Sequence, residues 1–109
     1  MNSKTIVPRE LARGDIEAAV DYYAREAGAE VAFGFIDALQ AAYDLIASHP
    51  EAGSLRHPYE LGLPDLRSLS LKRYAYLIFY RDRPDHVDVW RVLHAKRDIP
   101  QWMQEPDSH

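Results

Sequence analysis

At 109 residues with an apolar share of 47%, the chain has the length of one domain and enough apolar side chains for one core. It contains no cysteine, which excludes a disulfide framework, a thiolate zinc site and cysteine nucleophilic chemistry. The net charge of −4 is unevenly spread: residues 1–53 carry four Lys/Arg against nine Asp/Glu, and residues 54–97 carry nine against five, so the chain lacks the overall basic excess of a nucleic-acid binder while its third quarter attracts acidic partners.

Thr5–Pro8 reads as a short β-like stub that Pro8 ends. Helical periodicity follows over Glu10–Glu26, with Ala12, Ile16, Ala19, Val20 and Tyr23 on one face. Asp15, Glu17 and Asp21 read as the solvated face. Gly28 breaks the pattern, as a glycine just past a helix does. A second helix is predicted from about Glu30 to Ser48. Val31, Phe35, Leu39, Ala42 and Ile46 form its main stripe, and Phe33, Ile36, Tyr43 and Leu45 widen it to nearly the whole circumference. Such a helix is expected to be buried on most sides, part in the core and part against a partner. His49-Pro50 ends it, because the residue before a proline disfavours the α region.

Glu51–Pro64 reads as a loop, with Gly53, Pro58, Gly62 and Pro64. Three strand signals then follow. Leu66–Leu71 alternates Arg67, Leu69 and Leu71 with Leu66, Ser68 and Ser70. Ala75–Arg81 is apolar on both faces, with Tyr76, Ile78 and Tyr80 opposite Leu77 and Phe79. Val87–Leu93 places Val87, Val89, Arg91 and Leu93 opposite Asp88, Trp90 and Val92. Lys72–Tyr74 and Arg83-Pro84-Asp85 make the turns between them. The order β-α-α-β-β-β predicts a single α+β domain over residues 1–109, an N-terminal helical hairpin packed on a small antiparallel sheet. The hairpin covers one sheet face; Ile99–Met103 and a segment of a bound partner are expected on the other. Neither linker nor repeat interrupts the chain. No apolar run approaches the roughly 20 residues that span a bilayer, and the N-terminus lacks the apolar stretch of a secretory signal, so a cytoplasmic location away from membranes is expected.

Six pieces of sequence, in order, resemble the ParE branch of the RelE/ParE toxin superfamily over roughly Pro8 to Pro100. They are Ala12-Arg13-Gly14-Asp15-Ile16 followed by Tyr22-Tyr23; the Ala/Phe-rich stretch Ala32–Leu45; His49-Pro50 with Gly53; Leu66-Arg67-Ser68; Arg73-Tyr74-Ala75-Tyr76-Leu77-Ile78-Phe79-Tyr80; and Arg91-Val92-Leu93-His94-Ala95-Lys96-Arg97-Asp98. The resemblance implies the toxin of a type II toxin–antitoxin system. Such a toxin is held in a hetero-oligomer by a ParD-like antitoxin and inhibits DNA gyrase without catalysis, cofactor or metal. The RelE branch instead cleaves mRNA on the ribosome, with a basic cluster and a Tyr or His near the C-terminus. This chain has no Tyr after Tyr80 and only three lysines, Lys4, Lys72 and Lys96. In that alternative, His94 with Arg91 and Arg97 would carry the chemistry. A third reading is a non-toxic member whose role is complex formation with its antitoxin.

Arg67, Arg73, Arg81 and Arg91 are candidates for a basic groove that receives an acidic segment, or else ordinary solvated strand positions. Arg97-Asp98 is either a target contact or a structural pair. Phe33 and Ile36 are candidates for the partner surface. Trp90, Tyr74, Tyr76, Phe79 and Tyr80 are read as core. The five histidines show no metal-ligand spacing. Nor does the sequence offer a Gly-rich phosphate loop or a Ser-His-Asp arrangement. No direct sequence-specific DNA binding is expected.

Overall fold

The computed structural model describes residues 3–55 and 65–96. Its elements run β1 (Thr5–Pro8), α1 (Glu10–Glu26), α2 (Ala29–Ser48), a 3₁₀ turn (Pro50–Ala52), β2 (Leu66–Ser70), β3 (Tyr76–Asp82) and β4 (His86–His94). Two helices pack on a four-stranded sheet, an α+β fold. Gly28, at φ 99°, takes up the left-handed backbone that reverses the chain between the helices within two residues. The backbone N–H of Ala27 closes α1 on the carbonyl of Tyr23, and that of His49 closes α2 on Leu45.

The sheet order is β1-β4-β3-β2. Strands β2, β3 and β4 are antiparallel, as the two short turns require. The N-terminal stub makes the whole sheet mixed: β1 lies parallel to β4, with Thr5 opposite His86 and Pro8 opposite Val89. Pro8 is tolerated there because β1 is an edge strand.

A second difference lies in β4. The ladder pairs Phe79 with Arg91 but Tyr80 with Val89, so Trp90 is an extra residue, a β-bulge. Strict alternation groups Leu93 with Val87 and Val89. The bulge shifts the phase, so Val92 joins Val87 and Val89 in the main core while Leu93 packs with Leu66 and Phe79 on the other face.

The main core lies between the helices and one sheet face. Ala12, Ala19, Phe35, Leu39 and Ile46 from the helices meet Tyr76, Ile78, Tyr80 and Val87 from the sheet. Tyr76, Phe79 and Tyr80 are buried, whereas Tyr74 and Trp90 are half-buried. A smaller cluster of Leu66, Phe79 and Leu93, flanked by Leu77 and Trp90, fills the second face; Ile99–Met103, expected there, lies outside the described residues.

Helix α2 is long and apolar enough to cross a membrane by length and composition, contrary to the reading from apolar runs. Its stripe of Phe35, Leu39, Ala42 and Ile46 is nevertheless committed to the core. The helix is not buried on most sides. Among the described residues α1, the sheet and the 3₁₀ turn pack on it, and Phe33 (64% exposed), Ile36 (41%) and Leu45 (43%) face outward.

Candidate partner-binding site

The strand arginines have separate local tasks. Arg67 on β2 donates to the carbonyls of Glu51 (3.3 Å) and Gly53 (2.7 Å), just past α2. The Tyr80 hydroxyl holds the same turn: it accepts the Gly53 N–H at 2.8 Å and donates to the Pro50 carbonyl at 2.6 Å. A Cβ on residue 53 would run into the Tyr80 ring, which is why this position is glycine. Burial pushes the Tyr80 pKa up, so the hydroxyl stays a donor. Arg81 makes a fork-on-carboxylate pair with Asp65 (2.9 and 3.2 Å). Arg91 makes a tighter one with Asp15 (2.8 Å for both bonds).

Asp15 does more. Its Oδ2 also accepts the backbone N–H of Val92 at 3.0 Å, immediately after the bulge. The carboxylate read as part of a solvated helix face is thus the pin between α1 and β4. The motif Ala-x-x-Asp-Ile was the only sequence signal for this role; its partners lie 76 and 77 positions away.

Three of the four strand arginines expected at a basic groove are therefore engaged within the chain. The fourth, Arg73, is exposed at the β2–β3 turn with φ 72°, and among the described residues it forms no ion pair. Arg97 and Asp98 lie outside the described residues. His94 ends β4 with its ring edge-on to Tyr76 at 5.2 Å, and its Nδ1 accepts the Lys96 N–H at 3.2 Å. Both contacts buttress the strand end. Tyr43 offers no acid–base alternative: its hydroxyl is buried without a partner among the described residues, and burial pushes its pKa up to about 12.

Ion pairs make stability pH-dependent, the Arg9–Asp88 pair first among them. Asp88 on β4 is buried, and the Arg9 fork meets both its oxygens at 2.9 Å. Hydrogen bonding from Arg9 holds the Asp88 carboxyl below its ordinary value of 3.8, against the opposing effect of burial. A depressed folded pKa adds stability above the unfolded value and loses it as pH falls through the folded value. Asp65 is lowered likewise by its bond from Arg81. The melting temperature is expected to fall below about pH 4, and to fall less steeply in Arg9→Gln. Melts at stepped pH would check this, and identical acid limbs for the two proteins would contradict the role of Arg9.

Between α2 and the β2 edge lies an open groove of about 670 Å³. Ala38, Ala41 and Leu45 form the helical wall, Leu69 and Ser70 the strand wall, and Lys72–Tyr74 one rim. Tyr74 donates to the Val31 carbonyl at 3.2 Å, and Gly34 lets the Tyr74 ring approach, because a Cβ there would collide with its hydroxyl. The turn carrying Lys72 and Arg73 is thereby tied to the first half of α2. The exposed Phe33 and Ile36 lie on that same helix. Among the described residues no cluster of three His, Asp or Glu side chains could hold a metal ion. The surface offers apolar area, open backbone and two cations, which suits a polypeptide partner better than a small substrate.

A family described as ParE toxin of type II toxin-antitoxin system, parDE, matches residues 6–99. A solved chain from the chromosomal ParDE toxin–antitoxin system of P. aeruginosa is similar in fold, with a TM-score of 0.69 at 20% identity, over 84% of this chain and 96% of that one. No curated protein matches the chain.

Proposed function

Because the chain belongs to the ParE toxin family of type II toxin–antitoxin systems, we propose that it inhibits DNA gyrase by direct protein contact and is neutralised by tight binding of a ParD-like antitoxin. The family match over nearly the whole chain carries this reading. In it the chain is a protein inhibitor without catalytic machinery, working in the cytoplasm, and its antitoxin complex is a hetero-oligomer. The apolar groove and the exposed side chains of α2 support a role in binding protein partners.

The ribonuclease alternative asks Arg91 and Arg97 to hold phosphate and His94 to move protons; Arg97 lies outside the described residues. Two observations weigh against it. The Arg91 fork is already filled by Asp15, and a phosphate would have to displace a carboxylate held by two bonds. His94 is braced between Tyr76 and the Lys96 N–H.

Expression of this chain alone in bacteria separates the readings. Gyrase inhibition predicts filamentous cells, an induced DNA-damage response and intact mRNA, with toxicity retained in His94→Ala. Codon-position cuts in mRNA that vanish in His94→Ala would replace this reading with the ribonuclease one. Normal growth beside a stable antitoxin complex would instead support a non-toxic member.

A further inference from the structure

We propose that the outer edge of β2 at Ser70 is a strand-addition site for an extended, acidic segment of the antitoxin, with that segment's apolar side chains resting on Ala38, Ala41 and Leu45. This rests on the reading that the chain binds an antitoxin, and adds where and how.

The backbone direction follows from its neighbours. Ser68 exchanges both its N–H and its carbonyl with Ser54 (2.9 and 2.8 Å), on the side of β2 away from β3. Leu71 donates to the Tyr76 carbonyl, toward β3. In an antiparallel strand the direction alternates with each residue, so Ser70 presents its N–H and carbonyl outward, as Ser68 does. Among the described residues none takes them up. Ser70 is exposed and lines the groove, so these groups open onto it. An open edge is a template for another chain, and pairing there supplies affinity while pockets beside it supply selectivity.

The groove fits a side chain of such a strand. Its helical wall is built of small residues and leaves room above Leu69. Charge then selects the occupant. Lys4, Arg9, Arg67, Arg81 and Arg91 each have an acceptor within the chain. Among the described residues Lys72 and Arg73, at the rim of the groove, have no ion-pair partner, and Asp37 is the single carboxylate of the lining. The left-handed backbone of Arg73 keeps this pair at the turn tip, and the Tyr74–Val31 bond fixes the turn on α2. A carboxylate on the incoming strand gains two cations that have given nothing up beforehand. A second copy of the chain fits poorly. Pairing two β2 edges antiparallel about Ser70 would set Lys72 opposite Ser68, whose outward groups Ser54 already holds.

The test uses the full chain and a ParD-like antitoxin from the same source, with amide hydrogen exchange followed by NMR and affinity by calorimetry. In the complex, exchange of the Ser70 amide is expected to slow by about tenfold or more, while Ser68, already bonded, changes little. Ala41→Trp fills the groove from an exposed helix position, and Lys72→Glu with Arg73→Glu reverses the rim; each is expected to weaken binding by about tenfold or more. Melting curves confirm that both variants fold. If the wild type binds the antitoxin while Ser70 stays unprotected and Ala41→Trp binds equally well, the strand-addition site is overturned and the antitoxin reading survives. If the wild type does not bind the antitoxin, both fall. Ser70 protection that rises with concentration of the chain alone would assign the edge to self-pairing and overturn the proposal.

Discussion

Phe35→Ala is expected to destabilise the protein by about 3–5 kcal/mol, because a fully buried aromatic side chain leaves both its transfer energy and a cavity behind. The ring is the hub of an aromatic cluster, with centroids 5.5 Å from Tyr23, 5.6 Å from Tyr74 and 5.2 Å from Tyr76. The contacts with Tyr74 and Tyr76 are edge-on, and such pairs add to the area term. Its loss strips a partner from α1, from the β2–β3 turn and from β3 at once, and three rings cannot collapse into the space without leaving their own contacts. Against a total stability of about 5–15 kcal/mol, this is a large fraction. Denaturant titration gives the direct readout, with Phe33→Ala as the control. Phe33 lies two residues away but is 64% exposed, and its removal is expected to change stability by no more than about 0.5 kcal/mol. Equal midpoints for the two variants would contradict the assignment of the buried face of α2.

That pair of residues also marks what the sequence carried. Of the stripe Val31–Phe35–Leu39–Ala42–Ile46 that the apolar spacing gives, the last four are buried and Val31 is half-buried; helix geometry is fixed, so its period can be counted. The same count could not tell how many sides of α2 have neighbours. Phe33, Ile36 and Leu45 are as apolar as the core residues, and the positions of the described elements around α2 leave them exposed. Strand faces were legible up to Val89 by the same logic of fixed period. Beyond it the bulge at Trp90 added one residue, and the faces of Val92 and Leu93 exchanged. A bulge changes the phase without changing composition, so alternation cannot reveal it.

The arginines were visible, but their acceptors were not. Arg67 is held by the carbonyls of Glu51 and Gly53, and a backbone carbonyl has no residue type to announce it. Arg91 is held by a side chain 76 positions away. The sequence therefore leaves the basic strand residues between a common groove and ordinary solvated positions, when three of them serve local geometry. The open cations, Lys72 and Arg73, look no different in sequence from the engaged ones. What distinguishes them is the turn in which they sit, with its left-handed Arg73 and its tie to α2 through Tyr74.

Asp15→Ala is expected to cost about 3 kcal/mol, a large effect for a residue on a helix surface. Two losses combine. The Arg91 guanidinium, 32% exposed, loses a doubly bonded carboxylate that is itself only 14% exposed, and the Val92 N–H loses its acceptor. The second loss leaves a backbone donor bare: β1 ends opposite Val89, so the Val92 N–H, turned away from β3, meets α1 instead of another strand, and an unsatisfied backbone donor costs about 1–3 kcal/mol. Asp15→Asn separates the two contributions. An amide oxygen can still accept from Val92, but it cannot balance the Arg91 charge, so this variant is expected to fall between wild type and alanine. Arg91→Ala should also destabilise, and the double variant Asp15→Ala with Arg91→Ala should be less harmful than the sum of the singles, with a coupling of about 1–3 kcal/mol. Strict additivity would mean that the two side chains do not stabilise each other in solution. An Asp15→Asn variant as unstable as alanine would remove the Val92 bond from the account and leave charge balance as the whole of it. Where the coupling is found, the pair has a structural consequence for toxicity. Arg91 spent on Asp15 holds α1 to β4, and a variant that frees it exposes a cation while loosening the helical hairpin, so loss of activity in Arg91→Ala must be read beside its melting curve before the residue is assigned to the target surface.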